Sequence, residues 1–306
     1  MIEKVNLNDY IKAIPEIGFG PGIVRRSTLG RNIKNAYASL LFKAINKFII
    51  SPIYERQFVN AVTESLNVGF RLIDYSSAYG NGELLSKALK KSGVSRTELF
   101  ITGRVSNQAQ FHNSVKQEVY SYLKNMNLDY LDLLQFHWPV PMHFINTWRV
   151  MEQLKDEGVV KYLGVANCNV HHIESILKIC KYPPEIAQFE IHPLFTQKKL
   201  IEYYKSKHIL IESYTPVARY DERLVRLPLL HKLEQKYHKT FAQIILRWHI
   251  QNGCIPLIRS MDPRHIKENF DVFDFKLEDV DMKAIDGLNI NSRLRYDPDN
   301  CDFSIL

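Results

Sequence analysis

The 306-residue sequence predicts an α/β chain closed into a (β/α)8 TIM barrel, with an extra helical insertion after the first barrel strand. Three observations carry that expectation. Short runs of β-branched and aliphatic residues recur along the chain, amphipathic stretches separate them, and both kinds of segment number about eight. The strand runs are 16–20, 71–76, 99–105, 131–138, 161–167, 184–191, 209–215 and 254–259. Each is almost continuously apolar, as a parallel strand covered on both faces requires. Helices are expected at 58–68, 83–91, 114–126, 148–157, 171–180, 198–207 and 241–250. Several of them close on asparagine or glycine before the next strand, as at Asn67-Val68-Gly69, Glu157-Gly158 and Asn252-Gly253. An open doubly wound sheet is the competing arrangement. Against it, Gly18-Phe19-Gly20-Pro21-Gly22 lacks the G-x-G-x-x-G spacing of a dinucleotide-binding turn.

The whole chain, 1–306, reads as a single barrel domain, but one segment stands outside its alternation. Residues 23–51 separate the first strand from the first barrel helix and are too many for a βα loop. Within them Ile33, Ala36, Tyr37, Leu40, Leu41, Ala44, Ile45, Phe48 and Ile49 keep a three-four spacing. An extra helix packing that apolar stripe on the barrel is the plain expectation. From Arg25 to Arg56 the chain is also basic: Arg25, Arg26, Arg31, Lys34, Lys43, Lys47 and Arg56 stand against Glu55 alone, and so supply most of the net charge of +7. A substrate lid, a partner contact or a membrane-surface contact are the functional alternatives for it.

Composition narrows the class. Apolar residues make up 45% and charged residues 24%, an ordinary balance for a soluble globular chain. Cys168, Cys180, Cys254 and Cys301 form no CxxC pair and no zinc-ligand spacing, which fits reduced thiols in the cytoplasm. No run of 18 apolar residues occurs, so an integral membrane segment is not expected, and the start of the chain lacks the pattern of a secretory signal. Lysine and arginine are otherwise spread without a recognition motif, so no nucleic-acid partner is expected.

Barrel enzymes build their sites at the carboxyl ends of the strands. Asp74 and Tyr79 follow the second strand run, Arg104 ends the third and His137 ends the fourth. Singly, each has a plain structural reading. Together they describe a phenol flanked by a carboxylate, a cation and an imidazole. A phenol, whose ordinary pKa lies near 10, needs such neighbours to exchange a proton around neutrality.

Three long stretches, GFRLIDYSSAYGNGELLSKAL (69–89), LDYLDLLQFHWP (128–139) and VVKYLGVANCNVHHIE (159–174), resemble signatures of the aldo-keto reductase family. QFEIHP (188–193), SYTP (213–216) and RHIKENFDVFDF (264–275) resemble three more, in the same order. The resemblance implies the barrel fold and reversible reduction of a small-molecule aldehyde or ketone by hydride from NADPH, or NADH in some members, without a metal. It implies that Tyr79 is the general acid, that His137 orients the carbonyl, and that Asp74 pairs with the catalytic cation. That cation is a lysine in the family, whereas this chain has Arg104. A guanidinium keeps the charge but is bulkier and cannot release a proton. A catalytically impaired NADP(H)-binding barrel, acting as a redox sensor or interaction protein, is therefore the alternative function.

For the cofactor, the resemblance assigns Asn167 and Gln188 to the nicotinamide carboxamide and Tyr214 to the ring stacked beneath it. Arg259 and Ser260 fall where the 2′-phosphate of NADP is held, a role suited to a guanidinium fork and a hydroxyl. His265 stands in place of the family's usual arginine, and Glu268 and Asn269 correspond to the adenine contacts. On the substrate side the aromatic wall after Gly20 is missing, which leaves Trp138 as the pocket aromatic or as packing. The tail 291–306 resembles the short C-terminal loop of microbial members.

Overall fold

The computed structural model describes residues 14–22 and 51–304, so the basic insertion lies outside the described residues up to Ser51, which opens a helix. Eight parallel strands close into a barrel in sequential order. They are β1 Gly18–Phe19, β2 Leu72–Asp74, β3 Phe100–Val105, β4 Leu131–Phe136, β5 Val160–Ala166, β6 Ile186–Glu190, β7 Leu210–Tyr214 and β8 Cys254–Ile258. Closure is made by β1 pairing with both β2 and β8.

The expected strands are all present, and most are shorter than their apolar runs by one to three residues. The ladder ends where the chain turns out to form the loops at the carboxyl rim, although apolar character continues past that point. The first barrel helix, Ser51–Val68, begins seven residues before the expected 58. Its first turns carry exposed Ile53 and Tyr54, so no buried stripe announces them. Pro52 is compatible with a first helical turn, where its missing N–H costs nothing. The helices Pro228–Tyr237 and Asp279–Asp286 were not anticipated, since they are additions to the simple alternation. Among the described residues no helix is long and apolar enough to cross a membrane.

Period-two alternation along the strands sorts the barrel into layers. Leu72, Phe100, Leu133, Ile186 and Leu257 join Ile14 in one buried cluster that plugs the amino end of the interior. Neighbours offset by one residue, such as Ile73, Ile101, Leu134, Ala187 and Ile211, belong to the larger outer core shared with the helices. Two residues beyond the plug, toward the carboxyl end, the same inward faces carry Asp74, Thr102, Gln135, Gln188 and Glu212, all buried. Gly164 makes room for this layer, because a Cβ there would lie 2.6 Å from the Ile186 carbonyl and 3.0 Å from Gln135.

Candidate active site

Arg104 occupies the centre of the polar layer. It is the last inward residue of β3, buried, and paired across the ladder with Gln135 of β4. Its Nη1 donates to Asp74 Oδ1 at 2.7 Å, and the same nitrogen makes a short contact to Gln188 Oε1. Its Nη2 donates to the Tyr79 hydroxyl at 2.7 Å. Burial opposes the guanidinium charge, but the charge of Asp74, followed by Tyr79 and Glu212, outweighs it and raises the pKa. The Arg104 carbonyl accepts from the Tyr122 hydroxyl, which fixes the backbone as well. Tyr79 itself is half-buried on the 3-10 turn Ser77–Tyr79, its ring edge-on to Tyr75 at 6.0 Å.

Behind Arg104 the layer continues as amide and carboxyl groups. Gln188 Nε2 lies within hydrogen-bond distance of Glu212 Oε2 (2.9 Å), Asp74 Oδ1 (3.1 Å) and Gln135 Oε1 (3.2 Å). Gln135 Nε2 also donates to Glu212, at 3.2 Å. The Glu212 carboxyl is pushed up to about 7, first by burial and then by the charge of Asp74. The Gln188 amide is thus engaged at both ends inside this network. A nicotinamide carboxamide would have to compete with these partners for it.

At the carboxyl ends of β4, β5 and β7, His137, Asn167 and Tyr214 come together. Asn167, in the left-handed region at φ 57°, donates from Nδ2 to the His137 carbonyl at 2.9 Å. Its Oδ1 accepts from the Tyr214 hydroxyl at 2.6 Å, and its backbone N–H donates to the Gln188 carbonyl at 2.8 Å. The pKa of His137 is lowered to about 3 by burial and by the charges of Arg104 and Arg295, so its ring is neutral across the physiological range. A neutral imidazole can donate one ring N–H to a carbonyl oxygen. After Tyr214 the chain holds Thr215, Ala218, Arg219 and Tyr220 at φ between 49° and 58°. Left-handed non-glycine residues cost of order 1–3 kcal/mol each and concentrate at ligand-binding segments.

The remaining sequence-assigned residues lie beyond β8. Arg259 crosses above Gly22, where a Cβ would come within 2.8 Å of its Nη1 and where φ is +64°. Only glycine suits both the conformation and the approach. Ser260 Oγ accepts from the Asp262 N–H at 3.1 Å, and Asp262 pairs with Arg264 through Nη2 at 2.8 Å. His265 is exposed at the start of the helix Pro263–Phe270. Glu268 accepts from Thr240 Oγ1 at 2.6 Å, and the buried Asn269 leaves its Oδ1 without a partner. Trp138 is buried against Val140 and Phe303, so most of its ring is packing.

Sequence reading missed Glu212, Gln135 and Tyr122. A glutamate at an inward position of the otherwise apolar run Leu210-Ile211-Glu212-Ser213-Tyr214 was the available signal for the first. Among the described residues one grouping of metal-ligand types occurs, His171, His172 and Asp299. His172 Nδ1 accepts from the Asn169 N–H at 3.1 Å, so the neutral ring carries its proton on the Nε2 that faces Asp299. That arrangement is a hydrogen-bonded latch.

The profile of the aldo/keto reductase family matches residues 50–290. The glyoxal reductase of Bacillus subtilis (strain 168) is 38% identical over 248 residues, covering 80% of this chain and 89% of its own length. The methylglyoxal reductase DkgA of Escherichia coli (strain K12) is 38% identical over 245 residues, covering 79% and 88%. Among solved structures, the aldo-keto reductase MGS-M4 from a Medee basin deep-sea metagenome library superposes with a TM-score of 0.81 at 32% identity, covering 94% of this chain and 96% of that one.

Proposed function

Because the chain belongs to the aldo/keto reductase family, we propose that it reduces an aldehyde or ketone to an alcohol using NADPH, with NADH as the weaker donor. The observation that carries this reading is the 2.7 Å contact between the Tyr79 hydroxyl and a buried, permanently charged guanidinium. When bound, the nicotinamide supplies hydride to the carbonyl carbon. Tyr79 then delivers its proton to the carbonyl oxygen, and Arg104 stabilises the phenolate left behind. Asp74 holds Arg104 in place, and the neutral His137 ring donates a hydrogen bond that orients the carbonyl.

The cofactor reading has its own support in the chain. The orphan Asn269 Oδ1 is a buried acceptor that suits the exocyclic amino group of adenine. Arg259 and Ser260 would take the 2′-phosphate, with His265 and Glu268 beside the adenosine, and Tyr214 and Asn167 would hold the nicotinamide ring. The described cysteines Cys168, Cys180, Cys254 and Cys301 are free, which suits a cytoplasmic enzyme. Small oxoaldehydes are the first substrates to assay, given the glyoxal and methylglyoxal reductases among its relatives.

One observation favours a second reading. Arg104 binds Asp74, Tyr79 and Gln188 at once and so ties up an amide the cofactor would use. A barrel that binds NADP(H) without turnover follows if that network does not yield. NADPH oxidation with glyoxal, methylglyoxal and simple aldehydes separates the two: measurable turnover supports the reductase, and binding without turnover supports the silent barrel.

A further inference from the structure

Glu212 is fully buried at an inward position in the middle of β7, and its carboxyl meets only amides. Oε2 accepts from Gln188 Nε2 at 2.9 Å and from Gln135 Nε2 at 3.2 Å, while Oε1 has no partner. Around it, Asp74 comes from β2, Arg104 from β3, Gln135 from β4 and Gln188 from β6. The strand β5 offers Gly164, and β8 the apolar Ile255 and Leu257. His249 bonds Ser213 on the opposite face of β7. Glu190, one inward step farther along β6, is held by the His192 ring and by two N–H groups of the tail.

The charges of this layer do not balance. Arg104 is matched by Asp74 at 2.7 Å, and among the described residues no cation lies at ion-pair distance from Glu212. A buried carboxylate without its own cation is costly, and burial followed by the charge of Asp74 pushes Glu212 up to about 7. Tyr214 stands two residues on, on the same face of the strand and about 7 Å along it. Its ring is the one assigned to the nicotinamide, so the uncompensated carboxyl sits one step beneath that place. A nicotinamide ring carries a positive charge in NADP⁺ and none in NADPH.

Resting on the reductase reading, we propose that Glu212 is an electrostatic positioning residue whose carboxylate is the counter-charge of the oxidised nicotinamide. Ionised Glu212 shifts the balance of affinities toward NADP⁺, and a protonated carboxyl leaves it unshifted. The bias draws hydride transfer on the protein toward alcohol and oxidised cofactor. It also holds the spent cofactor more tightly as pH rises through about 7.

The test measures Kd for NADP⁺ and for NADPH at pH 6 and pH 8.5 in wild type, Glu212→Gln and Glu212→Asp, by tryptophan quenching. The 2′-phosphate is common to both forms, so the ratio Kd(NADPH)/Kd(NADP⁺) cancels its titration along with general damage to the site. A unit charge ~7–10 Å away under ordinary protein screening corresponds to roughly a fivefold to fiftyfold change in that ratio. At pH 8.5 the wild-type ratio is expected to exceed that of Glu212→Gln by this factor, with Glu212→Asp between them. From pH 6 to 8.5 it should rise roughly threefold or more in wild type and stay level in Glu212→Gln. Calorimetry of NADP⁺ binding at pH 7, in buffers of different ionisation enthalpy, should show proton release in wild type and none in Glu212→Gln. A wild-type ratio that is flat with pH overturns the proposal, even if the glutamine variant fails to fold. A rise that persists in Glu212→Gln overturns it as well. Cofactor binding without turnover of any aldehyde removes the reductase reading and leaves the ratio to decide the role of Glu212. If neither form binds, both fall.

Discussion

Arg104 Nη2 lies 2.7 Å from the Tyr79 hydroxyl, while its Nη1 sits at the same distance from Asp74 Oδ1. One planar group therefore joins the proposed proton donor to a buried carboxylate. A lysine ammonium, a single compact charge, would not present two separate nitrogens to the two partners. The third contact, to Gln188, follows from the same geometry.

This relationship makes Arg104→Lys informative. The shorter reach of an ammonium should free the Gln188 amide for the cofactor while keeping a cation beside Tyr79. NADPH should bind more tightly, turnover should rise, and the alkaline limb of the pH–rate profile should move to lower pH. Stopped-flow binding and steady-state rates from pH 6 to 10 would show it; unchanged affinity and profile would mean the amide is not limiting. Arg104→Met should instead destabilise the fold by about 3–5 kcal/mol, since it leaves Asp74 buried without its counter-ion.

How much of this was legible in the sequence depends on the layer. The strands, and the positions of Asp74, Tyr79 and His137 at their carboxyl ends, follow from apolar runs and the residues just beyond them. The engagement of Gln188 was not legible, because it depends on which nitrogens of Arg104 reach across the barrel. Glu212 was legible as a charged residue inside an apolar strand, but the amides of Gln135 and Gln188 that make its burial tolerable were not. The early start of the helix Ser51–Val68 was hidden because its first turns face solvent and carry no period.

Buried Glu212 leads to a pH-dependent prediction. Its carboxyl is raised from 4.5 to about 7 in the folded chain. A raised acid favours folding below its unfolded pKa, and that contribution is lost as pH climbs from 4.5 through 7. Glu212→Gln should therefore gain stability relative to wild type between pH 5 and pH 8, by ~3 kcal/mol at most at about 1.4 kcal/mol per unit. Urea unfolding at the two pH values measures it, and a difference independent of pH would refute the assigned shift. His137 and His249 work in the opposite direction. Both are lowered to about 3, so the stability they favour is complete above 6.5 and is lost as pH falls toward 3.

In the proposed cofactor reading the 2′-phosphate falls to Arg259, which is exposed and crosses above Gly22. A charge-assisted contact to a 2′-phosphate is worth roughly 1.5–3 kcal/mol, so NADPH should bind about ten- to a hundredfold more tightly than NADH. Arg259→Ala should remove most of that gap, chiefly by weakening NADPH. Quenching of tryptophan fluorescence by each cofactor gives the comparison, and equal wild-type affinities would refute the preference.

The central claim is that Tyr79, poised by Arg104, is the proton donor in a working carbonyl reductase. Its most direct test is NADPH oxidation with methylglyoxal by wild type and Tyr79→Phe, alongside NADPH affinity for both. The account predicts turnover in wild type and a loss of ~10²–10⁴-fold in Tyr79→Phe, with cofactor affinity nearly the same. Undiminished turnover in Tyr79→Phe, or a wild type that binds NADPH yet reduces neither methylglyoxal nor any simple aldehyde, would contradict it.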